Sequence, residues 1–130
     1  MRAYKWFRRE NHCLVSDNSN VGSAQVIYHT GIENQPVIKG TKLFVFRTLD
    51  AAYAYRAFAK TNQELWEVEI PDHSKPMQYR AQLTRTDMVA GRNRVRDYWN
   101  PKTRRTTVAT RTPKGTYGAD WVWPIRRVQF

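Results

Sequence analysis

The sequence predicts an α+β fold: one domain over residues 1–130, a mixed sheet of about five strands, one clear helix near 49–60 and a basic C-terminal region. Three observations predict it. Short runs of alternating or β-branched residues recur between polar turns, and a single alanine-rich run sits between two of them. The chain has 130 residues, 41% hydrophobic and 13% aromatic, which suits one core and is too apolar for a disordered basic tail. No repeat, low-complexity tract or linker divides it.

Residues 3–8, AYKWFR, alternate around two aromatics and read as an opening strand. SDNSNVGS, 16–23, is a loop, because its Ser, Asn, Asp and Gly satisfy or release the backbone in turns. AQVIYHT, 24–30, is a second short strand ended by Gly31, and Pro36 and Gly40 break the stretch that follows. KLFVFR, 42–47, is the strongest strand signal of the N-terminal half. Thr48 or Asp50 caps the helical run DAAYAYRAFAK, whose alanines and closing Lys60 suit helix propensity and the macrodipole. LWEVEI, 65–70, alternates with Trp66, Val68 and Ile70 on one face and Glu67 and Glu69 on the other, and Pro71 stops it. Strand, helix and strand over 42–70 form a crossover unit, which places two parallel strands in one sheet with the helix across it.

Beyond Pro76 the pattern is less regular. YRAQLT, 79–84, permits a strand. Residues 86–99, with Thr86 or Asp87 as cap, read as a helix or irregular element, against a rival hairpin of RVRDYW and RRTTVAT around NPKT. The β-branched run Thr106, Thr107, Val108 supports a strand over 105–110. Residues 112–120 read as loop and 121–129 as a last strand, at an edge or bulged because of Pro124, with Trp121 and Trp123 buried on a shared face.

Charge carries the functional information. The chain holds 22 Lys+Arg against 11 Asp+Glu, a net of +11, yet residues 1–74 have a net of only +1. Arg92, Arg94, Arg96, Lys102, Arg104, Arg105, Arg111 and Lys114 face only Asp97, a net of +7 in 23 residues. Arginine predominates, and its planar fork pairs bidentately with phosphate or carboxylate. A dense surface of one sign selects a polyanionic partner: nucleic acid, a nucleoprotein or an acidic protein face. Tyr98 and Trp99, next to Asn100-Pro101, are placed to stack on bases or anchor a protein contact. The contact set read from the sequence is therefore Arg92, Arg94, Arg96, Tyr98, Trp99, Lys102, Arg104, Arg105 and Arg111.

Other classes are disfavoured. No apolar run is long enough to span a membrane, and no apolar stretch follows the basic N-terminus as in a secretory leader, so a cytoplasmic protein is expected. Cys13 has no internal disulfide partner, and three scattered histidines make no zinc pattern, so no metal is expected. GxxxxGK, HExxH, CxxC and GxSxG are all missing. His12 and Cys13 are neighbours, and on an extended chain they point opposite ways. Glu67 and Glu69 share a face, which permits acid/base work but is the ordinary pattern of a solvated strand face.

Two resemblances add to this reading. YKWF, YHTG, GTKLFVFRTLDAAYAY and LWEVEIP, over residues 3–71, resemble a family of small uncharacterised tailed-phage and prophage proteins. That resemblance implies a mobile-element origin and an accessory protein that binds and disables host machinery, including nucleic-acid-targeting defence complexes. YHTG, FVFRTLDAAYAYRAFA and LWEVEIP are also similar to the core of ADP-ribosyltransferase-like domains. This second resemblance implies an enzyme using NAD, with His29 on the nicotinamide ribose, Tyr53 stacked on nicotinamide and Glu67 or Glu69 polarising the ribose. The favoured expectation is a binding protein without a cofactor, docking its Arg-rich surface as an inhibitor of host defence; the alternative is the NAD enzyme.

Overall fold

The computed structural model describes residues 1–16, 26–37, 41–56, 62–77, 79–81 and 109–129, with the backbone alone at 79–81 and 109–111. In chain order the strands are β1 (Arg2–Glu10), β2 (Cys13–Ser16), β3 (Ile27–Tyr28), β4 (Leu43–Phe46), β5 (Gln63–Glu69), β6 (Lys75–Pro76), β7 (Tyr79–Ala81), β8 (Ala109–Arg111), β9 (Thr116–Ala119) and β10 (Trp123–Arg127). The helix α1 (Leu49–Tyr55) lies between β4 and β5.

Alternation in RAYKWFRRE makes β1 the strand around which the others assemble. Ala3 and Phe7 are fully buried on one face, and Trp6, with the partly buried Tyr4, packs on the other. One edge of β1 pairs with β5 along its length, from Arg2↔Glu69 to Arg8↔Gln63. The opposite edge is shared: Tyr4 pairs with Phe46 of β4, whereas Phe7 to Glu10 pair with β2. Lys5 sits at this fork, 4% exposed. Its Nζ donates to the Phe44 carbonyl and lies 5.6 Å from the centre of the Tyr28 ring. A buried ammonium thus meets a backbone acceptor and an aromatic face where two strands part.

The sheet then closes on itself. β2 pairs with β3, and the chain leaving β3 bonds to the start of β10: Gly31 N donates to Pro124 O, and Asn34 and Val122 exchange backbone bonds at 2.8 and 2.9 Å. β10 pairs with β5, and β5 with β1, so the ladders form a ring. Asn34 is the buried clasp, its Nδ2 reaching the carbonyls of His29, Ile32 and Val122. The interior holds Ala3, Phe7, Leu14, Tyr28, Val68 and Val122, among others, with Leu43 and Val45 of β4. A second cluster on the outer face joins Trp6, Phe46 and Leu65 to Ala52 of α1.

The expected α+β class is corrected by this architecture. Among the described residues eight strands form one antiparallel sheet, β7 and β8 form a separate two-stranded one, and the single helix has seven residues, so the fold is mostly β. The expected crossover explains part of the difference. β4 and β5 do run in the same direction in one sheet, but β1 lies between them and pairs antiparallel with each. Thr48 is the helix cap, accepting from Ala51 N at 3.1 Å, and the helix ends where Arg56 turns extended at φ −150°. Residues 57–60 of the expected helix lie outside the described residues.

The expected loop 112–120 contains β9, which pairs with both β4 and β6. Its strand character comes from two flanking ladders rather than from local propensity. Ahead of it, Pro113 to Thr116 form a turn in which Gly115 has φ +85° and its carbonyl accepts from Arg47 N. A Cβ at Gly115 would stand 2.6 Å from the Ala51 Cβ on α1. Gly115→Ala combines that clash with left-handed strain, and equilibrium denaturation is expected to show a loss of about 2–3 kcal/mol. The expected joint burial of Trp121 and Trp123 is not found: Trp123 is 40% exposed and Trp121, ahead of β10, is half-buried, whereas Val122 and Pro124 are buried. Pro124 does mark a bulge, where the register with β5 shifts before Arg126.

Candidate functional site

Arg92, Arg94, Arg96, Tyr98, Trp99, Lys102, Arg104 and Arg105 lie outside the described residues, as does the side chain of Arg111, whose backbone belongs to β8. What the structure places is the base from which they depart. β7 and β8 pair antiparallel from Tyr79↔Arg111 to Ala81↔Ala109. The chain therefore leaves at Ala81 and returns at its ladder partner, and residues 82–108 between them carry seven Lys+Arg against two Asp. The base is tied to β9 of the large sheet by Met77 N donating to Thr116 O at 2.9 Å, and Thr112 Oγ1 donates to Met77 O.

The acids of the sheet are matched to nearby cations. Glu67 accepts from Arg126 Nε at 2.6 Å and lies 3.6 Å from Arg2, while Glu69 is 3.2 Å from Arg2 Nε. Asp120 accepts from Lys42 Nζ and sits 2.8 Å from His73 Nε2, and these two partners hold its carboxyl below the usual carboxylate range. Glu64, with its side chain 8% exposed, accepts from Arg9 Nε and Nη2 at 2.9 Å each.

The Arg9 fork lowers the pKa of Glu64, which sets a pH dependence. A folded value below the unfolded one means that the unfolded chain takes up the proton first as the solution is acidified. The stabilisation is therefore complete above the ordinary glutamate value of 4.5 and is lost as pH falls through the folded value. Glu64→Gln is expected to cost about 1–2 kcal/mol at neutral pH and to flatten the fall in melting temperature under acid, checked by thermal melts across that range.

The four residues of the alternative enzyme reading fall in three places. Glu67 and Glu69 are in the ion pairs of the outer β5 face, and Tyr53 packs with Trp6 and Leu65 beneath α1. His29, at the end of β3, is exposed, with its backbone N and O both held by the Asn34 side chain. It lines an open groove of about 320 Å³ that none of the other three lines. Among the described residues no group of three or more His, Cys, Asp or Glu is arranged to hold a metal, and no helix is long and apolar enough to cross a membrane.

That groove is the feature sequence reasoning missed. Arg9, His12 and Cys13 line one side of its sequence and Ile27, His29 and Thr30 the other. The expectation that His12 and Cys13 point apart assumed an extended chain. His12 instead occupies a tight turn at φ +68°, and both residues line the groove. RRENHCLV signals the turn, though not the groove, since two polar residues there separate two strand-like runs. Comparison with family models, curated proteins and solved structures finds no match to this chain.

Proposed function

We propose that this is a small binding protein of the cytoplasm, phage or prophage encoded, which docks its Arg-rich segment onto nucleic acid, a nucleoprotein or an acidic host protein and so inhibits host defence. The observation that carries the reading is the segregation of charge: a net of +7 over residues 92–114 against +1 over residues 1–74. The paired ends of the 82–108 excursion, Ala81 and Ala109, support it by tying the segment to a fixed base. Holding both ends reduces the conformational freedom that a free basic tail loses on binding. Six arginines and two lysines over 92–114 suit bidentate phosphate contacts, and Tyr98 and Trp99 lie within the same run.

The test is a pull-down from bacterial lysate at physiological salt, divided into nuclease-treated and untreated halves, with protein and nucleic acid both identified. Binding to added DNA at low salt is no test, because any strongly basic protein holds a polyanion by counterion release. Recovery that depends on intact nucleic acid assigns a nucleic-acid binder. A single protein that survives nuclease assigns an acidic or nucleoprotein target. Recovery of neither by the full chain would remove the reading.

A further inference from the structure

The connection between β1 and β2 is a two-residue hairpin turn, with Glu10 paired to Cys13 and both central residues at positive φ, 47° at Asn11 and 68° at His12. Such a turn takes Asn-Gly by preference, because a side chain in the second position is strained. Here the second position is histidine. The fold forgoes stability to put an imidazole at this point, and backbone strain of this kind gathers at functional positions.

The imidazole lines the 320 Å³ groove, together with His29 and Thr30 from the end of β3. Among the described residues, neither imidazole ring nor the Thr30 hydroxyl has a hydrogen-bond partner; the only bonds at these residues involve backbone atoms. Arg9 stands behind them, committed to Glu64 and donating Nη1 to the His12 carbonyl at 3.3 Å, so it fixes the turn. No carboxylate is among the described residues lining the groove. Ile27 adds an apolar wall and is 52% exposed. Free N–H and O–H donors arriving from two chain segments, without an opposing acid and beside an apolar surface, suit a tetrahedral oxyanion attached to an apolar body.

We propose that this groove binds a small phosphomonoester with an apolar or aromatic body. The phosphoryl oxygens accept from His12, His29 and Thr30, and the body lies along Ile27. The described lining of the groove shares no residue with the Arg-rich segment, and the proposal does not depend on that segment's role.

Cys13, the single cysteine of the chain, is part-exposed on the same groove and gives a local readout. The full chain is alkylated with iodoacetamide in the presence of increasing phenyl phosphate. Saturation is expected to slow the reaction about tenfold, with half-protection at millimolar concentration. Benzyl alcohol, which has the ring without the anion, should give no protection, and inorganic phosphate should protect more weakly than phenyl phosphate. Phenyl phosphate bound elsewhere on this basic chain leaves the rate at Cys13 unchanged.

Two variants complete the test. His12→Gly should raise the melting temperature by about 2–5 °C, by relieving the turn, while weakening protection about tenfold. His29→Gln should weaken protection with no such rise. Absence of protection in the wild type, equal protection by benzyl alcohol, or protection unchanged in both variants would each overturn the proposal.

Discussion

Reversing Arg94, Arg104 and Arg105 together to glutamate is expected to abolish partner binding while leaving the melting temperature nearly unchanged. Three reversals remove two units each and take the 92–114 stretch from +7 to +1. Losing three phosphate contacts and adding three repulsive charges should weaken binding by at least about a hundredfold at physiological salt and make its salt dependence shallower. Stability should hold, because the ring and its two clusters are built from other residues and the base of the excursion is closed by backbone pairing at Ala81 and Ala109. Affinity measured across a salt series, beside a thermal melt, checks both halves. Unaltered affinity in the triple variant sinks the assignment of the Arg-rich segment as the contact surface.

Trp6→Ala is expected to give the largest loss of stability. Trp6 is 3% exposed, fills the outer cluster against Phe46, Ala52 and Leu65, and donates Nε1 to Ala52 O at 3.0 Å. That carbonyl also accepts from Arg56 N at the end of α1, so the indole fixes the helix to the sheet at its last turn. Truncation removes a large buried surface, leaves a cavity and unseats the helix, at a cost of about 3–5 kcal/mol. Set against the ~5–15 kcal/mol that holds a domain of this size together, such a loss brings it near unfolding. Trp6→Phe keeps most of the ring contact and loses the hydrogen bond, for about 1–2 kcal/mol. Denaturant titration of both variants checks the order, and equal losses would show that the indole N–H, not its volume, dominates.

The parts of the fold legible in the sequence were those where local pattern and tertiary role agree. β1 and β5 alternate cleanly because each separates an inner from an outer cluster, and Thr48 announces the helix through its side-chain cap. β2 was hidden by its length of four residues, since alternation needs more positions than that to stand out. β9, reading TYGA after a glycine turn, looked like loop because only its neighbours β4 and β6 make it a strand. Large aromatics in alternation suggest an inward face for Trp121 and Trp123, but Trp123 is exposed and Trp121, ahead of β10, only half-buried, whereas Val122 and Pro124 are buried. The charged segment was visible from composition alone. The groove could not be, because His12 and His29 come from separate segments that meet only once β2 and β3 pair.

The clasp at Asn34 also dictates an order of events. Its side chain bonds to Val122, 88 positions later, so the ring cannot close on a ribosome until Val122, and the basic segment before it, have been synthesised. Until then β5 lacks the neighbour that β10 provides, and β3 leads into a segment with nothing to join. Contacts this distant in sequence make folding slow compared with helical domains of similar size. The nascent chain meanwhile carries open strand edges beside a strongly cationic run. Closure of the ring thus waits for β10, which completes a structure that β1 began.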